Sequence, residues 1–225
     1  MRRGRSWLAA AGLGLLGLPA LAQAPAGWAL KITPQYVVVS GLWLEAERAL
    51  AAHPSQSLTA GLQLYAGPTG QPDVAFDPAA QPSRTGLVRG VGVQAQHRLY
   101  LAGAGQGLAG PTGLYLGYGP SVQFFHLSAA RTMWHEETTP TGLPYLVYGN
   151  VRHHENVLRY GGAVQVGYQW APVGRLLLDV YAGLGLRESH AWAELGASEY
   201  RSGPSDYAHR GFYVPAGFKL GLALR

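Results

Sequence analysis

A chain of 225 residues, 48% hydrophobic but only 13% charged, has room for one sizeable domain and is too apolar and aromatic to be a disordered tail. Its formal charge of +5 overstates its basicity: Arg2, Arg3 and Arg5 fall in a leader, leaving 14 basic against 12 acidic groups and no basic stripe for nucleic acid. The lack of any cysteine excludes a disulfide scaffold and a lipoprotein anchor.

Residues 1–22 have the form of a signal peptide: an arginine-rich start, an apolar stretch from Trp7 to Leu18, a break at Pro19 and small residues at Ala20 and Ala22. Cleavage is expected before Gln23, because the competing site after Ala24 would place Pro25 next to the scissile bond. Residues 23–225 then form one domain. No later stretch supplies the roughly 18 consecutive apolar residues of a membrane-crossing helix.

Period-2 alternation marks strands along the rest of the chain. In the first pair Leu30, Ile32, Tyr36 and Val38 oppose Lys31, Thr33 and Gln35; after Ser40-Gly41, Leu42, Leu44 and Ala46 oppose Trp43, Glu45 and Glu47. Leu58, Ala60, Leu62 and Leu64 then oppose Thr59, Gly61, Gln63 and Tyr65. Val91, Val93, Ala95, Leu99 and Leu101 oppose Gly92, Gln94, Gln96, Arg98 and Tyr100. Further on, Leu114, Leu116, Tyr118, Val122 and Phe124 alternate with Tyr115, Gly117, Gly119, Ser121 and Gln123. Val164, Val166, Tyr168 and Trp170 alternate with Gln165, Gly167 and Gln169. Leu176, Leu178, Val180, Leu184 and Leu186 alternate with Asp179, Tyr181, Gly183, Gly185 and Arg187. The chain closes on a strand from Phe212 to Arg225, with Phe218, Leu220, Leu222 and Leu224 opposite Gly217, Lys219, Gly221 and Ala223.

That makes about eight strands, each near the length that crosses a bilayer at a tilt. Their second face is not a solvated surface: glycine, 32 residues in all, shares it with Gln, Tyr, Ser and a few charges, which suits a narrow polar lumen. The expected fold is therefore all-β: a closed antiparallel up-and-down transmembrane β-barrel with aliphatic side chains towards lipid. Connectors support it by alternating long (68–86, 129–157, 188–210) and short (52–56, 102–113, 171–174), which puts the mature N-terminus in the periplasm. Tyr168 and Trp170 at one end of an outward face, and Tyr160 at the other, fit interfacial girdles.

The stretch LKITPQYVVVSGLWLEAERAL, with Pro34 early and the spaced set Leu44, Glu47, Arg48 and Leu50, resembles the opening of small bacterial outer-membrane β-barrel proteins. These include the OmpA-like transmembrane barrel and uncharacterised porin-like relatives, and the likeness extends through GLYLGYGPSVQFF to the terminal strand. It implies an integral barrel in the outer membrane, with outer-membrane lipids and the barrel assembly machinery as partners, and no defined activity. Members typically end in an aromatic residue; this chain ends in Leu224-Arg225, with Phe218 available in its place.

Parity turns Glu45, Glu47, Arg98, Arg159, Asp179, Arg187 and Lys219 towards the lumen. Charges in a low-dielectric interior are costly unless paired, so they are expected to form a salt-bridge network that plugs the barrel; the alternative is a narrow pore for small solutes. His126 and Ser128 share an outward face near the outer leaflet, and Glu136 and Glu137 follow. Such a set resembles outer-membrane lipid A deacylases, which makes a lipid esterase the enzymatic alternative. His135, Glu136, Glu137, His153, His154 and Glu155 are metal-ligating residue types without a ligand spacing, and fit a solvated loop. The glycines at 103, 105 and 107 lack the strand-to-helix setting and the Lys-Ser or Lys-Thr of a phosphate loop. No cofactor or metal is expected, and the preferred role is structural or surface-interacting, with an outer-loop ligand recognised around 129–157 and 188–210.

Overall fold

The computed structural model describes residues 27–69, 86–101, 105–107, 110–194, 200–201 and 206–224; the leader expected at 1–22 and most of the connector expected at 68–86 lie outside them. The elements are β1 (Trp28–Ile32), a 3-10 helix η1 (Pro34–Val39), β2 (Gly41–Leu50), β3 (His53–Pro68), β4 (Gly86–Tyr100), β5 (Gly105–Gly107), β6 (Gly110–Thr138), β7 (Pro144–Trp170), β8 (Leu176–Ala193), β9 (Gly211–Tyr213) and β10 (Ala216–Leu224). All pair antiparallel in one sheet, and β10 pairs with both β1 and β8, so β1, β2, β3, β4, β6, β7, β8 and β10 close into a ring of eight. β5 is a side hairpin on β6, and β9 extends the β10 path along β8.

Closure gives the alternation a direction. Leu62 pairs with Val93 and Leu30 with Leu222, and both pairs face outward; Val93 is 56% and Leu222 57% exposed. On the opposite face Arg98 and Asp179 are fully buried. The interior is therefore polar and the exterior apolar, the reverse of a water-soluble sandwich. Glycines on the inner face make room for long neighbours. A Cβ at Gly167 would run into the ring of Tyr115, and one at Gly221 would crowd the stem of Lys31.

The two ends of the ring differ. At the end that holds Trp28 and Leu224 two connections are tight, 51–52 and 171–175; the third, expected as a short connector at 102–113, contains β5 and the start of β6, and its residues 102–104 and 108–109 lie outside the described residues. At the far end the structure departs from the strand-by-strand expectation in four places. Tyr36 and Val38 are not in the first strand: Pro34, with its φ set by its ring and no N–H to give a ladder, opens η1 instead, and Ser40 ends it in the left-handed region at φ 55°. Tyr36 thereby turns inward and stacks on Trp43 with ring centroids 3.5 Å apart.

The span 129–157 is mostly strand and not loop. β6 and β7 keep pairing from Ala130–Arg152 to Thr138–Pro144, beyond the last β4 partner at Ala129 and the last β8 partner at Glu155. This free ribbon is about 26 Å long. The expected loop at 188–210 begins only after Ala193, and its residues Tyr207 and Ala208 are buried in the mouth of the ring. The terminal strand is likewise interrupted, at Val214 and Pro215.

Overfilling the interior should be felt globally. Gly167→Val is expected to displace Tyr115 and lower stability by about 1–3 kcal/mol, read as an earlier urea midpoint of the refolded chain in micelles.

Candidate functional site

The interior near the chain termini holds six charges drawn from five strands. Adjacent registers deliver them: Lys31 of β1 pairs with Glu45 of β2, and Lys219 of β10 with Asp179 of β8, while Glu47 and Arg98 come from β2 and β4. Arg98 is the hub. Its Nη2 lies 2.8 Å from Glu45 Oε1, and its Nη1 lies 3.1 Å from Glu47 Oε2 and 2.9 Å from Asp179 Oδ2. Lys219 Nζ reaches Glu45 Oε2 at 2.6 Å; Lys31 Nζ reaches Asp179 Oδ2 at 3.0 Å and also contacts Glu47 and Gln169. Three cations thus meet three carboxylates.

Neutral donors complete the cluster. Tyr100 donates to Glu47 at 2.8 Å, Tyr115 to Asp179 at 2.7 Å, and Ser57 also donates to Glu47. The Arg98 guanidinium lies over the Tyr115 ring, 4.6 Å from its centre. Charges removed from water this completely need close pairing and hydrogen bonding; both guanidinium Nη atoms of Arg98 and all three carboxylates are engaged, and only Arg98 Nε is without a hydrogen bond in the cluster. Carboxylates held in this way are braces across the ring; a general acid or base must meet its substrate.

A second layer fills the far half. Trp43 Nε1 donates to Tyr65 at 2.9 Å, Gln123 donates to Gln63, and Arg159 Nε donates to Gln123 at 2.6 Å. Tyr65, Phe125 and Tyr207 pack edge to face above them, with centroids 4.9 and 5.0 Å apart. The inward-folded segment is held by Arg159 Nη1 donating to the Asp206 carbonyl at 3.1 Å and by Ser189 donating to the Ala208 carbonyl at 2.5 Å.

Of the seven charges expected in one network, Glu45, Glu47, Arg98, Asp179 and Lys219 come together. Arg159 and Arg187 face inward too but lie in the far half: Arg159 rests on Phe125, and Arg187 lies over Tyr213. Strand parity assigns a face, and these two are separated from the cluster by height. Lys31 is the member that sequence reasoning left out. Its place opposite Leu30 and Ile32 was signal enough.

His126 and Ser128 do lie on the outer wall. Across the β6–β7 ladder Ser128 pairs with His154 and His126 with Asn156; His126 Nδ1 lies 2.8 Å from Asn156 Oδ1, and its ring stacks on His154. The acid that would complete an esterase set is elsewhere. Glu136 is eight strand residues beyond Ser128, about 26 Å along the ribbon, and Glu137 is engaged at its tip by Tyr145 at 2.8 Å and His135 at 3.0 Å. His153 and Glu155 point inward and are buried, whereas His154 points outward, so the residues expected in one solvated loop are divided between two faces. Among the described residues, no group of three or more His, Asp or Glu is arranged to hold a metal ion. No protein-family model matches the chain, and no curated protein matches it.

Two outcomes follow. Arg98→Met leaves three buried carboxylates with only Lys31 and Lys219 to balance them and is expected to cost roughly 3–5 kcal/mol in urea unfolding, more than the joint replacement of the cluster by apolar residues of equal volume. At the ribbon tip, the hydrogen bond from Tyr145, followed by that from His135, holds the Glu137 carboxyl below its ordinary value. A depressed carboxylate stabilises above its unfolded value and loses this as pH falls through the folded one. An NMR titration should therefore find Glu137 ionising at lower pH than in an unstructured peptide, with Tyr145→Phe moving it back up.

Proposed function

We propose that the mature chain is an integral β-barrel of the bacterial outer membrane, exported by its leader, inserted by the barrel assembly machinery and surrounded by outer-membrane lipid. Its role is structural or surface-interacting, with a largely filled polar interior and no defined catalytic activity. The observation that carries this is the inverted burial of the ring. Leucine, valine, isoleucine and phenylalanine cover the outside, from Leu30 and Leu222 on β1 and β10 to Val164 on β7, while Arg98, Glu45, Glu47 and Asp179 are sealed within. In water such a continuous apolar surface would be unfavourable by about 25 cal/mol for each Å² exposed, and soluble monomers rarely expose patches beyond a few hundred Å². In lipid that surface is in a matching solvent, and closing the ring pairs the strand ladders that hydrocarbon would otherwise leave unsatisfied.

The surface role falls to the β6–β7 ribbon. It carries Trp134, Leu146 and Tyr148 on its outward face, all exposed, with the Trp134 and Tyr148 rings 5.2 Å apart. Aromatic side chains on a projecting two-stranded stem offer a partner large contact area at low side-chain entropic cost.

Fractionation should recover the chain with outer membranes, and it should migrate faster unboiled than boiled on a denaturing gel. Recovery as a soluble periplasmic protein would end the membrane reading. In planar bilayers the filled interior should give no unitary conductance steps, and clear steps would mean a pore. Ser128→Ala should leave lipid A acylation unchanged; a loss of deacylation would make the chain an esterase.

A further inference from the structure

Near the termini, β1 joins β10 to β2, and the ring is closed there by strand pairing on both sides. That arrangement stops at Ile32. Beyond Leu220, its last partner on β10, the path back towards Gly211 has β8 on one side and η1 on the other. A short 3-10 helix thus stands where a strand would complete the wall, and Val214-Pro215 interrupt the facing edge. Neither Pro34 nor Pro215 has an N–H to contribute to a ladder.

A cavity of about 660 Å³ occupies this break. Part of its lining belongs to the outer surface: Val38 is 73% and Phe212 76% exposed, and Leu184 and Val214 are exposed beside them. Another part belongs to the interior, with Arg159 buried and Arg187 behind it. The cavity therefore crosses the wall. Arg159 and Arg187 both line it on the inner side. Leu184 and Phe212 also border a second, apolar furrow of about 410 Å³ on the outer face, which continues over Gly162 beside Val164 and Leu186. Just past Leu186 the wall turns polar, where Arg210 donates to Glu188 at 2.7 Å. A cationic recess thus adjoins an apolar track at the level where lipid head groups begin.

We propose that this break is a lateral portal for a single-chain anionic amphiphile, a long-chain carboxylate. Its head group passes between η1 and β9–β10 to Arg159 and Arg187, and its chain lies in the furrow by Leu184 and Phe212. The proposal rests on the membrane reading above. Guanidinium groups in a partly dehydrated recess bind carboxylate strongly. A small anion would have no use for the furrow, and an uncharged chain would have none for the arginines.

The test uses the full mature chain in phosphatidylcholine nanodiscs with radiolabelled palmitate, scored against empty discs. Saturable uptake is expected, with methyl palmitate failing to saturate and acetate failing to compete. Arg187→Gln should weaken palmitate binding about tenfold, the worth of one charge-assisted hydrogen bond, and Val214→Trp should obstruct the entrance; heat-modifiable migration checks that each variant folds. Uptake no greater than in empty discs, methyl palmitate binding as tightly as palmitate, or acetate competing equally would each overturn the portal. The ester comparison needs no variant, so it decides even if Arg187→Gln does not fold. Failure of the chain to enter discs overturns the membrane reading and the portal together, whereas insertion without saturable uptake overturns the portal alone.

Discussion

Arg98 and the three carboxylates around it set the terms for the rest of the molecule. A guanidinium with no exposed surface is tolerable only if Glu45, Glu47 and Asp179 all reach it, and they come from β2 and β8, far apart in the chain. Lys31 and Lys219 offset the remaining negative charge, and they belong to β1 and β10, the strands whose pairing closes the ring. Neutralising the interior and closing the sheet are therefore one event. An open sheet would leave the carboxylates without their lysines, and a closed sheet without the lysines would bury unpaired negative charge.

Glycine follows from the same constraint. The charged cluster, Tyr65, Tyr100, Tyr115 and Tyr181, and several glutamines must fit within eight strands, where the space is only wide enough for side chains to fill. Opposite a long residue the wall must be small. Gly167 faces the ring of Tyr115, Gly117 lies against Arg98, and Gly61 lies against Gln94. What reads in the composition as an excess of glycine is thus the complement of an interior built from long polar side chains.

The two ends of the ring divide the labour. At the end that holds Trp28 and Leu224, ionic pairing across the ring is combined with two tight turns. At the far end, proline, a 3-10 helix, an inward-folded segment and a projecting ribbon replace regular closure, and the exposed aromatics and the cavity through the wall are found there. Rigidity at one end allows irregularity at the other, because strand pairing around the Trp28 end maintains the ring where the far end departs from it.

Alternation along the chain was sufficient for the existence of the eight ring strands, for the face of the residues within their regular parts, and for the prediction that Glu45, Glu47, Arg98, Asp179 and Lys219 share an interior. Side-chain direction in a strand has a period of two, and that is a local property. The first strand was overextended because Tyr36 and Val38 keep the alternation while Pro34 withholds its N–H, and backbone chemistry overrode the pattern. The β6–β7 ribbon was taken for a loop because, once past its neighbours, both of its faces carry polar and aromatic residues and no buried side remains to impose a pattern. Parity is silent on height, so it could not separate Arg159 and Arg187 from the ionic cluster, nor show that η1 and β9–β10 leave a passage beside them. Those placements depend on ring closure and register, which bring together residues more than a hundred positions apart, and no local periodicity contains them.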